Sequence, residues 1–284
     1  MTTYNLEVLN QYKTHLHEEE RSQNTIQKYL RDLRTFLVFT DGQELSKLAV
    51  LAFKEHLITA YAPASVNSML AAVNGFLEWL GFPQYKVKQL KIQREIFSKP
   101  EKELSQREYQ RLIQAAEKKN NRKLALLIQT ICATGIRVSE LRHITVSALH
   151  TGRTTVSCKG KNRTIFLPKE LCRNLKHFCK EQGIQSGTIF LAKTGKPLDR
   201  SNIWRMMKNL CKDANVEPSK VFPHNLRHLF ARTYYKIEKD ISRLADILGH
   251  SSINTTRIYT IETGAKHARQ IDRMQLVLGY RSVT

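Results

Sequence analysis

Over residues 1–81 the apolar positions recur at helical spacing and at no other. Leu6, Leu9, Tyr12 and Leu16 form one series, and Ile26, Leu30, Leu33 and Leu37 a second. Leu48, Leu51 and the His56–Leu57 pair form a third. A fourth runs from Val66 through Met69, Leu70, Val73, Phe76 and Leu77 to Leu80, and stops at Gly81, a residue that takes left-handed backbone at little cost and so ends helices. Pro63 and Ser65 punctuate the gap before it. Four short amphipathic helices predict a compact bundle.

Residues 83–103 lose this periodicity and carry Pro83, Lys86, Lys88, Lys91, Arg94, Lys99, Pro100 and Lys102. They predict an exposed basic linker, placed to face a nucleic acid. Ser105-x-x-Glu108 is a capping box that opens a helix through Leu112, Ile113 and Ala116. Lys123–Ala133 predicts a buried helix. Thr154–Cys158 and Arg163–Leu167 have strand composition, with Lys159-Gly160-Lys161-Asn162 as the turn of a hairpin. Helices follow from Pro168 to about Gln182, over Asp199–Ala214, from Pro223 to about Ile237, and over Ile241–Leu248, which Gly249 closes. Two more lie around Thr255–Thr260 and Lys266–Leu278. The expected organisation is a helical domain at 1–82, a linker at 83–103 and a second domain at 104–284, mainly α with one small hairpin. The length of 284 residues agrees with two domains of roughly 150 residues each.

Composition narrows the function. The five cysteines show no C-x-x-C pairing, which argues against a disulfide framework and a structural zinc site and fits a reducing cytosol. The longest apolar candidate, Leu124–Ala133, is broken by Gln129 and Thr130 and is too short for a membrane span. The first residues, Met1 to Glu7, lack the basic start and apolar stretch of a secretory signal. The formal net charge is +21, and its distribution is uneven. Residues 1–96 hold 11 basic and 10 acidic side chains, whereas 97–284 hold 35 and 15. Such an excess calls for a polyanion, and without a basic amphipathic tail nucleic acid is a better match than a membrane.

The second domain carries the candidate chemistry. Arg137 follows a buried helix in Thr134-Gly135-Ile136-Arg137, with Glu140 three residues on to pair with it. His224 and Arg227 share one helix face in Pro223-His224-Asn225-Leu226-Arg227-His228. His250 follows a helix-ending glycine in Leu248-Gly249-His250-Ser251, and Tyr259 stands nine residues later. Taken singly, each has an ordinary structural explanation. Taken in order, with a lysine on the hairpin turn, they describe phosphodiester chemistry. Two guanidiniums clamp the non-bridging oxygens and stabilise a pentavalent transition state. A tyrosine oxygen attacks phosphorus to leave a phosphotyrosine and a free hydroxyl. A tyrosine's ordinary pKa of about 10 calls for a base or for electrostatic help, and a histidine supplies it.

This ordered set resembles the tyrosine recombinase (phage integrase) family, and within it the compact Xer-type recombinases. The resemblance rests on Ala-Thr-Gly-Ile-Arg-Val-Ser-Glu-Leu at 133–141, Pro-His-Asn-Leu-Arg-His at 223–228, Leu-Gly-His-Ser at 248–251, and steps of 3, 23 and 9 residues from His224 to Arg227, His250 and Tyr259. It spans about 100–279, and residues 1–95 match only generically. It implies a four-helix SAM-like core-binding domain followed by a catalytic domain. It also implies site-specific cutting and rejoining of DNA through a 3′-phosphotyrosine and a Holliday junction. Tyr259 would be the nucleophile, Arg137 and Arg227 the clamp, His224 the base and His250 a phosphate ligand, with Glu140 orienting Arg137. Lys159 would protonate the leaving 5′-oxygen, with Lys161 as the alternative. No metal and no other cofactor is implied. The implied partner is double-stranded DNA with inverted-repeat core sites, bound by a homotetramer, with a related recombinase or directionality factor as a further candidate. The implied location is the cytoplasm, at the nucleoid.

Two alternatives stay open on the sequence: a type IB topoisomerase or telomere-resolving enzyme with the same chemistry, and a DNA-binding remnant without activity. The tail, with Ile271, Met274, Gln275 and Leu278 on one face, reads equally as a helix packed on its own domain or as a segment docked on a neighbouring protomer. The choice between integration, excision, inversion and dimer resolution is not written in the residues, nor is the target site.

Overall fold

The computed structural model describes residues 6–41, 44–93, 100–158, 161–192, 194–259, 264–274 and 276. The chain divides into two units, Met1–Arg94 and Glu95–Thr284.

The first unit is built from α1 (Leu6–Glu18), α2 (Gln23–Phe39), α3 (Lys47–Ala60) and α4 (Pro63–Trp79). Their starts are set locally. Ser22 Oγ accepts from Thr25 N–H and Ser46 Oγ from Ala49 N–H, while Pro63, which has no N–H to leave unpaired, opens α4. Leu9, Tyr12, Ile26, Leu33, Phe36, Val66, Leu70 and Phe76 close the core. The third helix differs from expectation. Leu48 is 77% exposed and Leu51 is 38% exposed, and the buried face is Val50, Phe53 and Leu57. Phe53 is the anchor, set edge-on to Phe36 with ring centroids 5.0 Å apart.

The segment after α4 is less free than its composition suggests. Asn74 Nδ2 donates to Val87 O at 2.9 Å while its Oδ1 accepts from Val87 N–H at 3.0 Å. Asn67 treats Leu90 in the same way, at 2.9 and 2.7 Å. Two asparagine amides standing in for a neighbouring backbone lace residues 87–90 to α4, and Val87 is buried.

The second unit holds α5 (Gln106–Lys118), α6 (Arg122–Thr134), α7 (Val146–Thr151), β1 (Arg153–Cys158), β2 (Lys161–Phe166), α8 (Lys169–Glu181), α9 (Arg200–Lys208), α10 (Cys211–Ala214), α11 (Pro223–Glu238), α12 (Ile241–Leu248), α13 (Ile253–Thr256) and α14 (Gly264–Arg273). The capping box of α5 forms as expected, with Ser105 Oγ accepting from Glu108 N–H at 3.2 Å and Glu108 Oε2 from Ser105 N–H at 2.8 Å. The apolar helix α6 is the core element, with Leu127, Ile128 and Ile131 fully buried, and α5, α8 and α11 pack on it. β1 and β2 are antiparallel with Cys158 opposite Lys161, so Lys161 and Asn162, expected in the turn, belong to β2, while Lys159 and Gly160 lie outside the described residues.

Asp199–Ala214 is not one unbroken helix: α9 ends at Lys208 and α10 begins at Cys211, with Asn209 and Leu210 between them still near right-handed helical backbone, so Ile203, Met207, Leu210 and Cys211 stay at helical spacing on one buried face. Around Tyr259 a single turn of α-helix, α13, passes into a 3₁₀ turn at Arg257–Tyr259. α14 ends at Arg273; Ile271 and Met274 are exposed, and Gln275 and Leu278 lie outside the described residues.

Candidate active site

Four elements of the second unit converge. The first is the end of α6. Gly135 caps it with φ +62°, and Arg137 begins the 3₁₀ turn Val138–His143. Glycine is needed on two counts: the backbone is left-handed, and a Cβ would stand 2.5 Å from the Phe230 ring. Glu140 reaches back to Arg137, its Oε2 accepting from Arg137 N–H at 2.9 Å and its Oε1 from Arg137 Nη1 at 3.1 Å. Arg137 Nη2 donates to Gly249 O at 3.3 Å. Burial acts to raise the Glu140 pKa, but the Arg137 N–H, the Arg163 charge and the guanidinium hydrogen bonds outweigh it and hold the carboxylate ionised.

The second element is α11. Phe222 is its extended N-cap and Pro223 its first residue; in the otherwise buried first turn His224 is exposed, and Arg227 points inward one turn later. Arg227 is 2% exposed. Its Nη1 donates to Gly135 O, and its Nη2 donates to Leu248 O at 2.6 Å and lies 3.2 Å from His250 Nε2. The Tyr259 phenol lies near enough to interact with its charge. Burial first, then the Arg137 and Arg163 charges, brings its pKa down to about 10, which still leaves it charged at neutral pH.

The third element is the turn after α12, where Gly249, at φ +63°, sets His250 beside Arg227. His250 Nδ1 lies 2.8 Å from Thr256 Oγ1. Burial, followed by the Arg227, Arg137 and Arg163 charges, pushes the His250 pKa down to about 4. The fourth is the 3₁₀ turn that carries Tyr259. Its side chain is buried against Ala231, Leu244 and Leu248, and its ring stacks on His250 with centroids 5.8 Å apart and planes 22° apart.

Arg137, Arg227, His250 and Tyr259 are therefore brought into one cluster. His224 stands one ring away from the tyrosine. His228 fills the gap, edge-on to both, with centroids 4.6 Å from His224 and 4.6 Å from Tyr259. The protein packed around His224, then Arg227, Arg137 and Arg200, lowers its pKa, so its imidazole is neutral and able to accept a proton. Burial, then His224 and two arginines, pushes His228 to about 3. Lys159 lies outside the described residues, and of Lys161 only the backbone, in β2, is described.

Sequence reasoning missed three residues here. His228 closes the quoted Pro-His-Asn-Leu-Arg-His string, and its four-residue step from His224 was the available signal. Thr256 gives none from its type alone. Arg163 was read only as a strand residue. Yet it sits two positions before buried Ile165, on the inward face of β2, where an arginine is out of place without a purpose.

The arrangement holds a buried cation in wait. Among the described residues Arg227 is partnered by main-chain carbonyls, the His250 ring and a phenol, and by no carboxylate. Burying a charge without a counter-charge is costly unless an anion is to be received there. Arg137 adds a second guanidinium, so the cluster suits a tetrahedral anion held by two forks.

Comparison with known proteins shows the family to which the chain belongs. Residues 102–265 match the family model described as "Phage integrase family", and residues 9–81 match "Phage integrase, N-terminal SAM-like domain". The chain is 29% identical over 286 residues to the tyrosine recombinase XerA of Pyrococcus furiosus, covering 97% of this chain and 96% of the relative. It is similar to the crystal structure of a XerA recombinase, with TM-score 0.53 and 25% identity over 96% of this chain and 99% of that one. Its fold is also that of a lambda integrase(75–356) dimer bound to a COC′ core site, with TM-score 0.72 and 18% identity over 98% and 99% of the two chains.

Proposed function

Because the chain belongs to the phage integrase family, we propose that Tyr259 is the nucleophile with which it cuts and rejoins duplex DNA at specific sites. The observation that supports this assignment is the buried Arg227 guanidinium, which has no carboxylate partner among the described residues and interacts with both His250 and the Tyr259 phenol.

The protein is a tyrosine-type site-specific recombinase, and its chemistry follows from the cluster. A scissile phosphate replaces the carbonyls and the phenol as the ligand of Arg227, and Arg137 takes its other non-bridging oxygen. The Tyr259 oxygen attacks phosphorus, the phosphorus–O5′ bond breaks, and the 3′-phosphate stays on the tyrosine. The phenol proton passes towards His224, whose neutral ring accepts it. The leaving 5′-oxygen takes a proton from Lys159, or from Lys161. His250 binds a phosphate oxygen. Attack by a 5′-hydroxyl on the phosphotyrosine reverses the step and rejoins the strand, so bond energy is conserved.

DNA is the partner, and a dimer of the protein on each inverted-repeat site, paired as a tetramer around a Holliday junction, gives the assembly. The net charge of +20 on residues 97–284 supports it, as do the exposed Arg200 and Arg205 of α9. The proposed division is 1–82, 83–103 and 104–284, with residues 87–90 laced to α4 and the part of the middle segment beyond them crossing the duplex. No helix among the described residues is long and apolar enough to cross a membrane. Work on a chromosome places the protein in the cytoplasm, at the nucleoid. Integration or excision of a mobile element and Xer-like resolution share this chemistry. The test is covalent capture: DNA fragments that stay protein-linked after denaturation, lost with Tyr259→Phe.

A further inference from the structure

Arg163 has no part in the reaction above, and its placement demands one. It stands on β2 opposite Val156, and its side chain is 9% exposed. Its contacts come from two other elements. Nη2 donates to Glu140 Oε2 at 2.5 Å, and Nη1 donates to Ile247 O, near the end of α12, at 2.6 Å. Its stem underlies Gly249 so closely that a Cβ there would come within 2.4 Å of Arg163 Cδ. Each contact leads to a candidate phosphate ligand. Glu140 gives its other oxygen to Arg137, and Ile247 and Gly249 lead directly into His250.

We propose that Arg163 is a positioning residue that sets Arg137 and His250 against one another for the phosphate; this rests on the reading of those two residues as its ligands. Arg163 acts on the site both by geometry and by charge. A carboxylate with one guanidinium partner lets that partner swing between side-on and end-on pairing. Arg163 occupies Oε2, so Arg137 Nη1 is confined to Oε1 and its remaining nitrogens are aimed. The same fork holds the last turn of α12, which fixes the origin of the His250 turn. A lysine cannot do both, because one ammonium lacks the planar two-pronged reach. In addition, one carboxylate shared between two guanidiniums leaves a net positive charge. Without Arg163, Glu140 would neutralise Arg137 and weaken its pull on an anion.

The test uses the full chain and a synthetic nicked duplex of the core site recovered from Tyr259-dependent adducts. The duplex is made either with the native scissile phosphate or with a methylphosphonate in its place. Arg163→Met and Arg163→Lys are compared with the natural protein by thermal midpoint, DNA Kd and single-turnover cleavage rate at saturating DNA. On the native phosphate Arg163→Met is expected to lower the saturating rate by about ten- to a hundredfold, the cost of misplacing a catalytic group by about an ångström, with Kd changed by less than about threefold. Arg163→Lys recovers only part of the rate. On the methylphosphonate, where one non-bridging charge is gone and the clamp matters less, the deficit of Arg163→Met shrinks to about threefold or less. A purely structural role would lower the thermal midpoint and leave the two linkages with equal deficits. An unchanged saturating rate, an equal deficit on both linkages or full activity in Arg163→Lys overturns the proposal. If Arg163→Met does not fold, Arg163→Lys decides alone. Absence of adducts from the natural protein overturns the functional reading itself, whereas failure of this inference leaves those adducts in place.

Discussion

Arg227 Nη2 and His250 Nε2 lie 3.2 Å apart, and this contact fixes the state of the histidine. A guanidinium has donors only, so Nε2 accepts and the proton of the neutral ring sits on Nδ1, which donates to Thr256 Oγ1. To donate to a phosphate oxygen instead, His250 must carry its proton on Nε2, with Nδ1 accepting. Thr256 permits the exchange because a hydroxyl both accepts and donates.

Thr256→Val keeps the shape and removes the hydroxyl. The buried Nδ1–H loses its acceptor, at a cost of about 1–3 kcal/mol, and the alternative tautomer loses its donor. Cleavage is expected to fall about tenfold or more while DNA affinity holds. Single-turnover kinetics beside a binding titration check this, and an unchanged rate would remove Thr256 from the account.

Gly249 and Gly152 both have positive φ, +63° and +67°, but only Gly249 faces a neighbour. Alanine at Gly152 meets nothing within 4 Å and costs only the left-handed backbone term, about 1–2 kcal/mol. Alanine at Gly249 also displaces the Arg163 stem, which adds roughly 1–3 kcal/mol of overpacking. Thermal melting of the two variants should therefore rank Gly249→Ala well below Gly152→Ala. Cleavage should fail only in Gly249→Ala, since that glycine carries the His250 turn.

The histidines give stability a pH dependence of predictable sign. His228 is held at about 3 and His250 at about 4, against an ordinary value near 6.5, so the folded state refuses protons that the unfolded chain accepts. Their contribution is fully present above pH 6.5. It is lost as pH falls below that value, down through about 4 for His250 and about 3 for His228, at up to about 1.4 kcal/mol per pH unit for each. His228→Phe keeps a ring against Tyr259 and removes one of these protonations. Its melting midpoint should fall less than that of the natural protein between pH 6.5 and 4; equal slopes would show that His228 titrates normally.

Much of this site was legible in the sequence because its parts are tied to backbone punctuation. Gly135, Pro223 and Gly249 each mark a helix end, and Arg137, Arg227 and His250 follow at fixed short steps. The N-terminal bundle was legible for the same reason, since helical periodicity reports which residues face inward. The exception is instructive. In α3 two apolar series compete, and packing, with Phe53 set against Phe36, selects Val50 and Phe53 over Leu48 and Leu51, while Leu57 is buried as expected. Arg163 and His228 left only faint signals, an inward-facing strand arginine and a four-residue step from His224, because their roles depend on contacts across the fold, from β2 to α12 and from α11 to the tyrosine turn. The break between α9 and α10 carried no signal, since no glycine or proline marks it and Ile203, Met207, Leu210 and Cys211 keep the spacing of one continuous helix.

The basic surface makes a separate prediction. If 97–284 contacts the DNA backbone, log affinity falls linearly with log salt, at a slope of about −0.9 for each phosphate neutralised. Fluorescence anisotropy across a salt series measures it. A flat dependence would contradict a guanidinium clamp backed by a field of net charge +20.

The central claim is the bond between Tyr259 and DNA, and the most direct measurement is peptide mass spectrometry of the adduct. Protein–DNA adducts are trapped by denaturation, the DNA is digested to a residual nucleotide, and the tryptic peptides are read. The account predicts a nucleotide 3′-phosphate on Tyr259, absent from Tyr259→Phe, whose DNA binding is retained. A nucleotide on another residue, or adducts that persist in Tyr259→Phe, would contradict it.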